Sequence, residues 1–177
     1  MVNAITCLFR KKVTGGDPVP DEEIEAIGQE LQCEIDRVFG HSLAIRELDT
    51  GSDNAAEIEI NNLTNPYYDA ERFGISFVAS PRHADVLMVT GAVTRNMMTA
   101  AQKTYEAIPS PKFVVAVGDD ACTGGIFAGT YAVAGGADTL FSVDMKIPGN
   151  PPPPWAILAG LLAMMRKADG RQRDKSL

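Results

Sequence analysis

Apolar residues recur every three or four positions between Asp21 and Phe39, a pattern typical of an amphipathic helix. Three acidic residues open this segment, where they suit the positive end of a helix dipole, and Gly40 follows its end. Beyond Gly40, apolar runs of strand length alternate with helical segments. The predicted strands are 42–48, 73–79, 85–90, 112–117 and 139–143, and the further predicted helices are 55–62, 94–107 and 155–167.

Strands that alternate with helices predict an α/β fold in which a mainly parallel sheet carries helices on both faces. Residues 1–20 are predicted to be a short extended piece followed by a linker with glycine and proline. The chain therefore divides into an N-terminal extension with the amphipathic helix (1–40), a main domain (41–168) and a charged, frayed tail (169–177).

Composition narrows the class of protein. A chain of 177 residues with 45% hydrophobic residues can form one folded core. A formal net charge of −7 argues against nucleic acid and anionic lipid as main partners, because both attract basic surfaces. Cys7, Cys33 and Cys122 show no CxxC spacing, which favours reduced thiols in the cytoplasm over disulfides. No apolar run reaches the roughly 18–20 residues of a transmembrane helix, and the charge order at the N-terminus is not that of a signal peptide.

Glycine, proline, aspartate and asparagine concentrate in the segments that follow the predicted strands. In a parallel sheet, the loops at the carboxyl ends of the strands line the functional crevice. The sequence therefore predicts a site at this edge of the sheet, in the segments 49–56, 80–83, 91–95, 118–125 and 144–154.

Seven motifs lie in and beside these loops: residues 49–60 (DTGSDNAAEIEI), 63–69 (LTNPYYD), 71–75 (ERFGI), 80–87 (SPRHADVL), 89–97 (VTGAVTRNM), 117–125 (VGDDACTGG) and 143–152 (VDMKIPGNPP). In this order and spacing they resemble the 20-kilodalton small subunit of NADH-quinone oxidoreductase (complex I). They are still more similar to its counterpart in membrane-bound, energy-converting nickel–iron hydrogenases and formate hydrogenlyase. The resemblance runs from about Leu43 to Lys167.

The resemblance implies a 4Fe–4S cluster held by four cysteine thiolates from several loops, since soft, anionic sulfur suits cluster iron. The ligand positions that it carries over to this chain are Asp53, Ala56, Asp120 and Asn150. All four thiolates are thus replaced, and Cys122 is the one cysteine left in the matching region. One thiolate cannot hold a cluster that takes four, so the expectation is a degenerate site without a cofactor.

Three interpretations of the replaced site stay open. Polar side chains and water fill it; or Asp53, Asp120 and Asn150 offer oxygen ligands to a hard cation such as Mg²⁺ or Ca²⁺; or the two aspartates form a proton-accepting pair. The glycine-rich segment 118–125 lacks both common phosphate-loop spacings, which argues against a nucleotide.

Other residues are candidates for a partner interface or for holding loops. His83 could relay protons or serve the structure, and Arg72 and Arg82 suit pairing with carboxylates. The loop 63–68 is favoured as a partner contact, whereas the apolar helix 155–165 is either contact or core. The full set of interface or loop candidates is Glu57, Pro66, Tyr67, Tyr68, Arg72, Arg82 and His83.

The predicted fold is flavodoxin-like. The function that the resemblance implies is that of a cluster-less small subunit of a membrane-associated complex, similar to complex I or a hydrogenase. It would be non-catalytic, with a structural or coupling role in ion translocation. It would lie on the inner face of the cell membrane, between a large catalytic-type subunit and a membrane arm. Two alternatives are a redox subunit that uses clusters on partner subunits, and a stand-alone domain that binds a metal or small ligand.

Overall fold

The computed structural model describes residues 21–175, with side chains to residue 168, so the predictions for residues 1–20 lie outside the described part. The sheet strands and helices follow the predicted alternation. The helices are α1 (Asp21–Val38), α2 (Ala55–Asn62), α3 (Met98–Ala107), α4 (Asp119–Thr123) and α5 (Pro154–Lys175), and the strands are β1 (Leu43–Asp49), β2 (Ile75–Phe77), β3 (Val86–Thr90), β4 (Val93–Thr94), β5 (Phe113–Val117), β6 (Val133–Gly135) and β7 (Met145–Ile147).

Five strands form one parallel sheet in the order β2-β1-β3-β5-β7. The central strand β3 is buried along its whole length, as expected for a continuous apolar run between two neighbours. A separate antiparallel pair, β4 with β6, lies outside this sheet. Because the five strands are parallel, they all end at one edge, here called the carboxyl edge.

Two hydrophobic cores cover the two faces of the sheet. On one face, α1, α2 and α5 pack together, with Leu31, Ile60 and Ile157 almost completely buried. On the other face, α3 and α4 contribute Ala101 and Cys122 to a second core. The predicted α/β fold, with helices on both faces and an extra N-terminal helix, is confirmed, and α1 belongs to the same folded unit as the rest.

Two predicted elements are wrong, one in where it begins and the other in its type of secondary structure. The segment 94–107 is helical only from Met98, because Val93 and Thr94 pair with β6. The predicted strand 139–143 is not a strand: Ala137–Thr139 is a 3₁₀ turn, and Phe141 packs in the second core instead of joining the sheet. The edge position of the sheet is taken by β7, a few residues later.

Two further boundaries differ from the prediction. Strand 73–79 is reduced to Ile75–Phe77, since Ala70–Phe73 forms a 3₁₀ turn. Helix α5 runs to Lys175, across most of the tail that was predicted to be frayed. Residues 168–175 contain no proline, and five of the eight, one Ala, two Arg, one Gln and one Lys, are good helix formers. Within residues 21–175, no helix has the length and apolar character needed to cross a membrane.

Candidate functional site

The loops that follow β1, β3, β5 and β7 converge at the carboxyl edge and enclose a small cavity. Its volume, measured to the centre of a water molecule, is about 10 Å³, which is room for roughly one water. The cavity is lined by Ser52, Asp53, Ala55, Ala56, Gly91, Val117, Gly118, Asp119, Asp120, Gly149, Asn150 and Pro151.

The loop after β1 is fixed by side chains that bond to backbone. Asp49 Oδ1 accepts hydrogen bonds from the backbone N–H groups of Gly51 at 2.7 Å and Ser52 at 2.8 Å. The hydroxyl of Thr50, which is fully buried, donates to the carbonyl of Thr90 at 2.9 Å. These bonds hold the loop against the end of β3, so Asp53 and Ala56 are presented on a rigid turn.

Asp119 links the loops after β5 and β7. Its backbone N–H donates to the carbonyl of Gly149 at 2.8 Å, and its Oδ1 accepts from the N–H of Gly149 at 2.9 Å. A reciprocal pair of this kind fixes the distance and the orientation of the two segments. The segment with Asp120 and the segment with Asn150 therefore stay together at the cavity.

The structure brings together all four positions that the resemblance assigns to cluster ligands. Asp53, Ala56, Asp120 and Asn150 line the same cavity, although they come from three different loops. Ala56 is buried, Asp120 is half-buried, and Asp53 and Asn150 are exposed at the mouth. Asp53 Oδ1 is engaged locally, since it accepts from the N–H of Ala55 at 3.0 Å.

The surroundings of Asp120 disfavour the negatively charged form of its carboxyl group. Burial is the main cause that raises the pKa of Asp120, and the negative charges of Asp53 and Asp119 raise it further. Gly125 lies close to this carboxyl group, and a Cβ at that position would meet Asp120 Oδ1, so a larger residue there would displace the carboxylate. Asp53 and Asp120 therefore repel each other.

This repulsion gives a prediction for stability. A carboxyl whose folded pKa is raised destabilises the fold at a pH above that pKa and has no effect below its unfolded value. We expect Asp120→Asn to raise the melting temperature at about pH 7 and to leave it unchanged at about pH 3. Thermal unfolding of both proteins across this range measures the difference.

The control is Glu22→Gln, which neutralises an exposed carboxylate at the favourable, positive end of α1. It should lower the melting temperature slightly at about pH 7 or leave it unchanged. An effect of Asp120→Asn that is the same at both pH values would contradict the electrostatic explanation.

The residues present do not fit a 4Fe–4S cluster. The four positions offer two carboxylates, an amide and a methyl group, and cluster iron needs thiolates. Cys122 does not line the cavity; its Sγ lies in the second core, 3.7 Å from the carbonyl oxygen of Ala116, and burial raises the pKa of its thiol. Across residues 21–168, no group of three or more His, Cys, Asp or Glu side chains comes together as a metal site.

Most of the remaining candidates lie at the opposite, amino edge of the sheet, in the segments before β2 and β3. Arg72 forms an ion pair with Glu25 at 2.8 Å, and the hydroxyl of Tyr67 donates to Asp21 at 2.5 Å. The side chains of Arg72 and Tyr67 therefore contact α1. Tyr68 stacks edge-on against Tyr67 and packs on the core. The other candidates at this edge are exposed: Pro66, Arg82 and His83.

Two candidates remain, Glu57 and the helix 155–165. Glu57, at the start of α2, has both carboxylate oxygens buried, with no hydrogen-bond partner among the described residues. The apolar residues of helix 155–165 are largely core: Leu158 and Leu161 are fully buried, and Trp155 is 37% exposed. The helix therefore contributes mainly to folding rather than to a contact surface.

Sequence reasoning missed Asp119 as the link between loops, and it missed the exposed segment 126–132. Asp119 gives no local signal, because its partner Gly149 is distant in sequence. The exposed segment does give one, since residues 121–137 contain no charged side chain in a chain that is 22% charged.

The parallel sheet with helices on both faces and four loops that converge at its carboxyl edge defines the chain as an α/β protein. A model of one family of this class, described as NADH ubiquinone oxidoreductase, 20 Kd subunit, matches residues 54–164. The chain belongs to that family, whose members normally bind a 4Fe–4S cluster.

Individual relatives agree with this assignment. The chain is 45% identical over 156 residues to formate hydrogenlyase subunit 7 of Escherichia coli, which covers 86% of this chain and 60% of the relative. It is 39% identical over 135 residues to the probable membrane-bound hydrogenase subunit mbhJ of Pyrococcus furiosus, which covers 76% and 81%. It is 49% identical over 100 residues to an NADH-quinone oxidoreductase subunit of Citrifermentans bemidjiense, which covers 56% and 58%.

A solved structure has the same architecture. A chain of the membrane-bound sulfane sulfur reductase, an archaeal respiratory membrane complex, matches with a TM-score of 0.66 and 33% identity. The match covers 80% of this chain and 77% of that one. These homologues are subunits of complex I-like or hydrogenase-related membrane complexes. The chain spans about 60% of the length of the formate hydrogenlyase and NADH-quinone oxidoreductase relatives.

Proposed function

We propose that this chain is a cluster-less small subunit of a membrane-associated complex of the complex I and hydrogenase type. The observation that carries the proposal is the convergence of Asp53, Ala56, Asp120 and Asn150 on one cavity. The four positions that the resemblance assigns to cluster ligands still lie together but carry no thiolate, and carboxylate and amide groups do not replace thiolates as ligands of cluster iron.

The role that we propose is structural or coupling rather than redox. Without a cluster the chain would lack the centre that accepts and donates electrons, so in this proposal it does not catalyse a redox step. The loops are nevertheless held by Asp49, Thr50 and Asp119, which supports a continued mechanical role for this edge. Such a subunit passes conformational change between a large catalytic-type subunit and a membrane arm, and so contributes to ion translocation.

The proposed place of the chain is peripheral, on the cytoplasmic side of the cell membrane, where it docks to other subunits. Its contacts would use two surfaces: the carboxyl edge with Glu57, and the amino edge with the loop 63–68, Arg72, Arg82 and His83. The exposure of Tyr67, at 53%, supports the second surface, although its hydroxyl is engaged by Asp21.

One purification tests both parts of the proposal. The tagged chain is isolated from its own cells in mild detergent, the copurifying proteins are identified, and iron and acid-labile sulfide are measured on the chain separated from them. We expect a hydrogenase-like large subunit and membrane subunits to copurify, and the separated chain to be colourless.

Stoichiometric iron and sulfide on the separated chain would refute the cluster-less role and favour a redox subunit. A monomer that never copurifies with a large subunit would refute the subunit role and favour a stand-alone binding domain. Clusters found only on partner subunits would leave this chain cluster-less but place it in an electron-transferring complex.

A further inference from the structure

The carboxylate of Glu57, in the first turn of α2, lies in the interior without a hydrogen bond. Both of its oxygens are buried, and neither has a donor among the described residues. An ionised carboxylate that is buried without a donor is strongly unfavourable, so protein interiors rarely contain one. The structure therefore calls for a proton or a hydrogen-bond donor at Glu57.

A second carboxyl group, that of Glu47 on β1, lies on the same side of the sheet. Side chains alternate along a strand, so Glu47 shares a face with Leu43 and Ile45, which belong to the first core together with Ile60 of α2. Burial is the main cause that raises the pKa of Glu47, and the negative charge of Glu57 comes next. The two carboxyl groups are therefore near neighbours in a region that screens charge poorly.

The other charged groups around Glu47 do not neutralise this pair. Asp49 raises the pKa of Glu47 further, and Arg46 lowers it in part. Arg46 donates no hydrogen bond to Glu57, because both oxygens of Glu57 lack a partner, and its own Nε is buried without one among the described residues. The adjacent strands β2 and β3 contain no charged residue. On α5, Arg166 is engaged by Glu30 of α1.

A groove beside the end of β2 gives water access to Glu47. Its volume is about 230 Å³, which is room for several water molecules. Glu47 is partly exposed in this groove, whereas the carboxylate of Glu57 lies behind it and does not line it. The groove is lined by Ile45, Arg46, Glu47, Phe77, Val78 and Ala79.

We infer that Glu47 and Glu57 form a proton-binding carboxyl pair, which is loaded and unloaded by water in the groove. On loading, hydronium in the groove delivers a proton to an oxygen of Glu47 and leaves as water. The protonated Glu47 then donates a hydrogen bond to an oxygen of Glu57, which supplies the donor that Glu57 lacks. The pair carries two negative charges when empty and one when loaded.

The roles within the pair follow from position. Glu57 lies in the first turn of α2, where the positive end of the helix dipole favours the anion, so Glu57 is the acceptor. Glu47 faces the groove and is the residue that exchanges its proton with water. Adjacent carboxyl groups of this kind titrate as one unit, since both cannot easily be ionised together.

The pair goes beyond the proposed function and lies outside the four former ligand positions. Helix α2 carries Glu57 next to Ala56, and Ala56 lines the cavity at the carboxyl edge. Uptake or release of a proton therefore changes the charge beside that cavity. The inference stands whether or not the chain joins a complex, because both carboxyl groups belong to this chain.

The test follows the carboxyl carbons of glutamate by NMR in the full chain, labelled with ¹³C and titrated from about pH 3 to about pH 8. In the wild type, we expect Glu47 to titrate above its ordinary value of 4.5. We also expect the carboxyl carbon of Glu57 to shift in the same step, since the two share one proton. This coincidence is measured on the wild type and does not depend on how a variant folds.

Two variants complete the test, each checked for folding by circular dichroism. Glu57→Gln removes the neighbouring charge, so the midpoint of Glu47 should move to lower pH. The matched control is Glu59→Gln, the same change two positions further along α2, where the side chain points elsewhere and accepts from Asn62 at 3.3 Å. It should leave the midpoint of Glu47 in place.

Three results would each overturn the inference. The first is a Glu57 carboxyl carbon that does not respond in the Glu47 step, which would mean that an ordered water alone supplies its donor. The second is a midpoint of Glu47 that stays unchanged in folded Glu57→Gln. The third is an equal shift in Glu59→Gln, which would show a general effect of charge instead of a specific pair.

Discussion

The fourfold substitution Asp53→Cys, Ala56→Cys, Asp120→Cys and Asn150→Cys is expected to let this chain take up one 4Fe–4S cluster on anaerobic reconstitution. All four positions line one cavity, and the loops that carry them are fixed by hydrogen bonds independent of any metal. Thiolates at these places would supply the missing soft ligands. Iron and acid-labile sulfide per chain, together with charge-transfer absorbance, measure the uptake.

The matched control replaces the same four residues with serine, which is close to cysteine in size but supplies no thiolate. It should take up no cluster, and neither should any single cysteine substitution, since an incomplete ligand set leaves a cluster open to loss. If the fourfold cysteine variant folds, as judged by circular dichroism, and still binds no iron, the loops have drifted from a cluster geometry.

The second large effect concerns folding. Ile157→Ala in α5 should lower the free energy of unfolding by about 2–5 kcal/mol, because Ile157 is fully buried in the core between the helices and the sheet. For a chain of this size that loss corresponds to a fall in melting temperature of roughly 5–15 °C. Chemical denaturation, with thermal unfolding as a second measure, tests the expectation.

Ile58→Ala is the matched control, since it makes the same change on α2 at a side chain that is 53% exposed. It should change the free energy of unfolding by no more than about 0.5 kcal/mol. Equal effects at the two positions would mean that α5 does not pack on the sheet as described, and would reopen the possibility that this apolar helix faces a partner.

The sheet and its main helices could be predicted from local pattern because the buried positions of a strand or helix are occupied by apolar residues at a characteristic spacing. The continuous apolar run of β3 marks a central strand, and the three-to-four periodicity of α1 marks a helix with one buried face. The errors fall at residues whose secondary structure is determined by tertiary contacts. Phe141 is apolar enough for a strand but packs in the second core, and Thr94 leaves the predicted helix to pair with β6.

The site was only partly predictable. The four former ligand positions came from resemblance to a family, and the structure places them on one cavity. The contacts that shape the cavity, such as Asp119 with Gly149 and Gly125 with Asp120, join distant segments or depend on close backbone approach, and local pattern does not encode them. The roles of Glu57, Arg82 and His83 remain predictions.

Asp49, Thr50 and Asp119 gather the carboxyl-edge loops by hydrogen bonds between groups of the chain itself. In a protein whose loops are gathered by a metal centre, folding is coupled to the arrival of that metal. Here the loops are held together by the polypeptide chain alone. For the cluster-less role that we propose, the biogenesis of this subunit is independent of the machinery that builds and inserts clusters, and a cell starved of iron is expected to go on producing it.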